Sequence, residues 1–136
     1  MAKPIPAPDE SDQGFWDAVN ERRLVVQNCT TCSRMQYPPE ATCRKCGSKD
    51  NLEWKETSGR GFIHGHVVQY DTRVIVLKED QPFNIAVIAL EEDNDIKFFS
   101  HLPGTPPDQV PAGAKVRVVY QEVAPGRLVH EWEVVS

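Results

Sequence analysis

Of 136 residues only four are cysteine and two methionine, no apolar run approaches a membrane-crossing length, and acidic residues outnumber basic ones 20 to 15. Each shortage excludes something. The longest apolar stretch, Ile85 to Leu90, has the length of a buried strand, so no helical membrane span is expected. A net charge of −5 repels a phosphate backbone and argues against nucleic acid as the partner. The opening stretch MAKPIPAPDESD is proline-rich and polar, without the apolar centre of a secretory leader, so a cytoplasmic protein is expected. No glycine-rich phosphate loop is present, because SGRG (Ser58 to Gly61) is short and lacks the Lys-Ser/Thr continuation.

The few cysteines are the most informative residues. They form two Cys-x-x-Cys pairs, Cys29 and Cys32 in NCTTCS, and Cys43 and Cys46 in TCRKCGS. Two such pairs across a short loop can close four thiolates around one ion, and Zn²⁺ is the usual occupant of a closed four-cysteine site. Iron in a rubredoxin-like site uses the same ligands and is the nearest rival. A disulfide framework suits small secreted chains. A redox Cys-x-x-Cys needs only one pair beside a βαβ pattern, which is not found here. With all four sulfurs committed to metal, no cysteine remains as a nucleophile.

Eleven prolines and eight glycines favour short elements joined by turns. Residues 1–10 read as a flexible or extended arm. Ser11 reads as a helix N-cap with Asp12 in the first turn, and the helix runs to about Arg22. Phe15 and Val19 share one side of it with Arg22 or Arg23, and Trp16 lies beside Phe15. Two readings of this aromatic helix stand side by side. Either it folds back on its own chain, or Phe15, Trp16 and Val19 dock on a partner protein.

Residues 24–56 read as the metal ribbon, entered by the strand Leu24 to Gln27 and left by Leu52 to Trp54. Gly47 supplies the tight turn after Cys46. So short a segment buries little surface, so metal binding and folding should be coupled. Residues 57–136 read as all-β, with strands at Phe62–Tyr70, Thr72–Leu77, Asn84–Leu90, Ile96–Leu102, Lys115–Gln121 and Leu128–Val135. That spacing suits a small Greek-key barrel. The acidic turn at Glu91, Glu92, Asp93 and Asp95 reads as solvated.

In this order the features resemble the acyl-CoA-associated family catalogued as domain of unknown function 35. The run from Phe15 to Gly61, FWDAVNERRLVVQNCTTCSRMQYPPEATCRKCGSKDNLEWKETSGRG, carries the likeness, and PAGAKVRVVYQ resembles the family's late G-x-x-V-x-V strand. The sequence departs from the pattern at Ser33, where glycine is usual, at Glu40, where arginine is common, and at Glu91–Phe98, where a glycine turn is more usual. The resemblance implies a mainly β fold: an N-terminal helix (1–23 with the arm), a rubredoxin-like zinc ribbon (24–56) and an OB-fold barrel (57–136). It further implies a non-catalytic subunit of a heteromeric thiolase-type complex. Such a complex would handle acyl-CoA from aromatic or steroid degradation, as in the thiolases that cleave benzoylsuccinyl-CoA. A CoA-linked aldolase or hydratase partner, a free-standing acyl-CoA module, and a single-stranded nucleic-acid binder are the alternatives.

No catalytic residue is assigned. His64 and His66, at i and i+2 in FIHGH, are expected to share a strand face, with Gly65 allowing close approach. A strand histidine is more commonly structural, and His101 and His130 offer less still. Arg34, Arg44, Lys45 and Arg60 are candidates for CoA phosphates, beside the plainer reading of solvated surface charge.

Overall fold

The structure, a computed structural model, describes residues 3–135. It is mainly β, with one α-helix, α1 (Gln13–Asn20). A three-stranded antiparallel sheet joins β1 (Val25–Cys29), β2 (Met35–Gln36) and β3 (Leu52–Glu56) in the order β2-β1-β3. A five-stranded sheet follows, from β4 (Arg60–Gln69), β5 (Phe83–Leu90), β6 (Lys97–Ser100), β7 (Lys115–Ala124) and β8 (Arg127–Val134), ordered β6-β5-β4-β7-β8. This is the expected ribbon followed by an OB-fold. Among the described residues no ladder joins β6 to β8. A side chain bridges that gap instead: the Trp132 N–H donates to the Ser100 hydroxyl at 2.9 Å.

One core serves both parts. Leu24, Val25 and Val26 of the ribbon pack with Phe15 and Val19 of α1 and with Ile63, Ile88, Leu90, Phe98 and Trp132 of the barrel. Burying some sixteen such side chains at one site is what holds helix, ribbon and barrel together.

Three expectations are corrected. The helix begins at Gln13, because Ser11 donates its hydroxyl to the Asp9 carboxylate (2.7 Å) and does not cap the first turn. Its other end is set by Arg22, whose φ of +61° lets the chain turn away while the Arg23 N–H returns to the Ala18 carbonyl. The segment 72–77 is no strand. A 3₁₀ turn, Ile75–Asp80, occupies the connection from β4 to β5. Val74, Ile75 and Val76 favour a strand by type, but no neighbouring strand offers a ladder there. The Thr72 N–H is taken by the Gln81 side chain and the Val74 N–H by the Thr72 hydroxyl. The N-terminal arm, expected to be flexible or extended, has neither helix nor strand over residues 3–9 but is tied to the barrel. Lys3 pairs with Glu131 at 2.5 Å and donates to Gln121, and Arg127 donates to the Pro6 carbonyl. Hence both Leu128 and Val129, which point to opposite faces of β8, are buried.

Candidate metal centre and its surroundings

β1 ends on Cys29, so the first knuckle begins where a ladder has already fixed the backbone. The two knuckles repeat one geometry. The Ser33 N–H donates to the Cys29 carbonyl (2.7 Å) and the Gly47 N–H to the Cys43 carbonyl (2.9 Å). The Cys29 N–H donates to the Arg34 carbonyl and the Cys43 N–H to the Ser48 carbonyl, both at 2.9 Å. Each turn needs a left-handed residue after its second cysteine, Ser33 at φ +63° and Gly47 at φ +77°. The tight turn expected at Gly47 is thus present.

The knuckles converge. Cys29 Sγ lies 3.6 Å from Cys46 Sγ and Cys32 Sγ 3.7 Å from Cys43 Sγ, and the four sulfurs all lie within 4.8 Å of one another. A tetrahedron with metal–sulfur bonds of 2.3 Å has edges of about 3.8 Å, so this donor set fits a single zinc-sized ion. Backbone and hydroxyl donors favour the thiolate at the second pair, Cys43 and Cys46, while burial and the neighbouring sulfurs push the Cys32 thiol up to about 11 in the absence of an ion. The Ser48 hydroxyl and N–H hold the Cys46 thiol down to about 6, and the Cys46 and Lys45 N–H groups lower that of Cys43. Four sulfur ligands leave no open position for a metal-bound water, so such an ion would be structural.

Sequence reasoning missed what carries the loop between the knuckles. Gln27 and Gln36, both buried, form a small amide network. The Gln36 amide donates to Gln27 Oε1 (2.8 Å), which also accepts the Glu40 N–H (2.9 Å), while Gln27 donates to the Glu40 carbonyl. Gln36 Oε1 accepts the Arg44 N–H (3.0 Å), which pins the second knuckle against the first sheet. A glutamine directly after the apolar run Leu24 to Val26 was the available signal; its partners were not in the sequence.

The helix residues stand differently from the docking expectation. Phe15 is 1% exposed and Val19 is fully buried, both in the chain's own core, so neither can meet a partner. Trp16 is half-buried, edge-on to Phe15, and its indole N–H reaches the Asp12 carboxylate. The physical reason is size: the barrel alone leaves one mouth open, and the aromatic face of α1 plugs it against β8 and Tyr37.

His64 and His66 are both exposed, and the β4–β5 ladder slips between Ile63 and Gly65, so His64 is the extra residue of a bulge. The strict alternation expected there is interrupted. A side chain at Gly65 would meet nothing within 4 Å, so no part of the chain uses the close approach glycine allows. His130 packs among Phe15, Trp16 and Phe98, and burial, aided by the Lys3 charge, pushes its imidazole down to about 4.

The candidate cations separate into two groups. Arg44 is engaged by the Glu40 carboxylate and the Pro38 carbonyl, and with Arg34 and Lys45 it lines a pocket that also holds Asp93 and Asp95. Arg60 lies elsewhere, on β4, beside Lys115 and Arg117 of β7. The acidic turn is not merely solvated: Glu92 accepts the Ser58 N–H (2.7 Å) and fastens SGRG to it.

The surface shows one feature that sequence reading did not locate. Ile75 is 82% exposed, Phe99 70% and Tyr70 68%, with Val67, Val74 and Val76 also exposed. Val67 is paired with Ile85, and Val87 with Phe99, across the β4-β5-β6 ladders, so they form rows on one outer sheet face. Apart from the buried Asn84, β5 is apolar on both faces, as a strand covered on both sides would be, yet Ile85 and Val87 on its outer face are only partly covered by the described residues. No helix among the described residues is long and apolar enough to cross a membrane.

Comparison with known proteins agrees with this layout. Residues 16–53 match the family model for the ChsH2 rubredoxin-like zinc ribbon domain, and residues 54–121 that for the ChsH2 C-terminal OB-fold domain. A solved structure described as the Ltp2-ChsH2(DUF35) aldolase superposes with a TM-score of 0.83 at 25% identity, covering 95% of this chain and 98% of the matched one. A DUF35-family protein of unknown function from Sulfolobus solfataricus shares the fold, with a TM-score of 0.65 at 19% identity over 93% of this chain and 86% of its own. A probable enoyl-CoA hydratase alpha subunit of Thermomonospora curvata is 30% identical over 124 residues. That match takes in 90% of this chain, which spans only 37% of the relative's length.

Proposed function

The chain belongs to the ChsH2 family of zinc-ribbon and OB-fold proteins, the DUF35 family, and from that premise we propose that it is an accessory subunit of a heteromeric complex acting on acyl-CoA thioesters. The observation that carries this reading is the end-to-end likeness, in domain order and shape, to the ChsH2 chain of a two-component aldolase. In the ribbon, Zn²⁺ on Cys29, Cys32, Cys43 and Cys46 is structural. The chain's own thiols are all in that cluster. A thiolate nucleophile for thiolytic cleavage therefore comes from the partner chain.

The partner is a catalytic subunit of thiolase type. A CoA-linked aldolase or hydratase is the second reading, favoured by the names of the two relatives. Docking falls to the apolar outer face at Val67 and Phe99, since Phe15 and Val19 are occupied within the chain. Large exposed apolar groups arranged in rows are the signature of a surface completed by another protein.

The test is co-purification from the native host through size exclusion. A stoichiometric acyl-CoA enzyme subunit is the expected companion, and its sequence identifies the reaction. A lone 15.3 kDa chain without companion, at physiological salt and native expression, sinks the subunit reading in favour of a free-standing module.

A further inference from the structure

β3 is an edge of the ribbon sheet, paired with β1 on one side only, and four of its five residues are exposed. The bonds that flank this ladder fix which way its backbone points. The Thr57 N–H donates to the Leu24 carbonyl (2.9 Å) and the Thr30 N–H to the Asn51 carbonyl (2.7 Å). Bonded positions alternate along an antiparallel pair, so Asn51, Glu53, Lys55 and Thr57 turn their backbone groups toward β1. Leu52, Trp54 and Glu56 turn theirs outward, where no partner meets them among the described residues. β8, also an edge, differs: its Leu128 N–H is taken by Asn20 and its Trp132 N–H by Ser100. An unpaired edge is a template for another strand.

The side chains on this edge carry opposite charges two residues apart. Glu53 accepts only from the neutral Asn28 amide (3.1 Å), and the Lys55 ammonium meets no partner among the described residues. We propose that β3 pairs antiparallel with β3 of a second copy of this chain, across a two-fold axis at Trp54. The two ribbons then form one continuous sheet, with a self-complementary contact of the kind a two-fold axis requires. This register sets Glu53 opposite Lys55 of the second copy and Lys55 opposite its Glu53. Only outward-turned backbone groups can bond one another, so the neighbouring registers lie two residues away. Sliding either way sets Glu53 against Glu53 or Lys55 against Lys55, and like charges directly opposed weaken a ladder. Edge charges ordinarily keep strands apart; their order here admits one pairing and opposes its neighbours. At the axis the Trp54 backbones exchange two hydrogen bonds. The Trp54 indole, lodged against Gly14 and 39% exposed, has surface left for its twin. This contact is separate from the apolar outer face of the barrel and does not rest on the subunit reading.

Sedimentation equilibrium of the zinc-loaded full chain over a concentration series tests it. A reversible species of twice 15.3 kDa is expected, weakening with salt. Glu53→Lys and Lys55→Glu each set like charges opposite one another twice per dimer, and each should weaken self-association about tenfold. Mixed together, the two variants should form a heterodimer, and the double swap in one chain should restore self-association. Both side chains are exposed, so zinc content and thermal midpoint should match the parent in every variant. Phe99→Asp should leave the dimer unchanged. A chain that stays at 15.3 kDa at every concentration overturns the proposal. A dimer indifferent to both reversals overturns it too, as does one dissolved by Phe99→Asp, which would move the contact to the barrel face. Failure of the mixed variants and of the double swap to recover association removes the register and the proposal with it.

Discussion

Ser33 and Gly47 occupy the same place in the two metal knuckles, each donating its N–H to the carbonyl of the first cysteine of its pair, at φ +63° and +77°. Glycine adopts that conformation freely; serine carries a Cβ against the following carbonyl at a cost of about 1–2 kcal/mol. Ser33→Gly is therefore expected to raise the stability of the metal-loaded protein by about 1 kcal/mol, and Ser33→Val to lower it by more. Thermal unfolding of the three proteins at equal zinc content checks the order. Equal midpoints would show that the knuckle does not hold Ser33 under strain.

Metal removal should reach beyond the ribbon. Leu24, Val25 and Val26 precede the first ligand by a few residues and lie in the core shared with the barrel. Chelation, or Cys29→Ser, is expected to speed amide exchange in β5 as well as in β1. Exchange confined to residues 25–56 would mean that the barrel folds independently of the ion.

Phe15 and Phe99 should behave oppositely when changed. Phe15→Ala opens a cavity at a buried site and is expected to cost about 3–4 kcal/mol. Phe99→Asp, at a position 70% exposed, should change the midpoint little but abolish co-purification of the catalytic subunit. Retention of the partner by Phe99→Asp and by Val67→Asp would remove this face as the docking surface.

His130 sets a pH dependence of definite sign. Its folded pKa of about 4 lies below the ordinary value of 6.5, so the unfolded chain binds more protons between those values. Stability then rises with pH across that window and is lost as pH falls from about 6.5 toward 4, by up to about 3 kcal/mol. Burial raises the Glu131 pKa, which acts in the opposite sense. His130→Phe isolates the histidine: packed among three aromatic rings, with no partner on Nδ1 among the described residues, it should flatten the slope without unfolding the protein. Denaturant unfolding at several pH values reads this directly, and an unchanged slope in the variant would exclude His130 as its source.

The metal ligands were legible in the sequence because a Cys-x-x-Cys turn is local: spacing alone sets which sulfurs can converge, and their chemistry sets what they hold. The strand at Asn84–Leu90 and the β-rich second half were legible for a similar reason, since the side-chain period is a local property. The aromatic helix was not decidable that way. Whether Phe15 and Val19 meet the chain's own core or a partner depends on a barrel mouth formed by residues more than a hundred positions away, chiefly β8. The same holds for Val74 to Val76, whose strand preference found no neighbour, and for the arm, tied down by Lys3 to Glu131. It holds too for Arg60, set opposite Arg117 only by the register of β4 on β7. Spacing and residue type fixed the metal centre and the β class, while burial, register and charge opposition are long-range quantities that exist only once the chain has closed on itself.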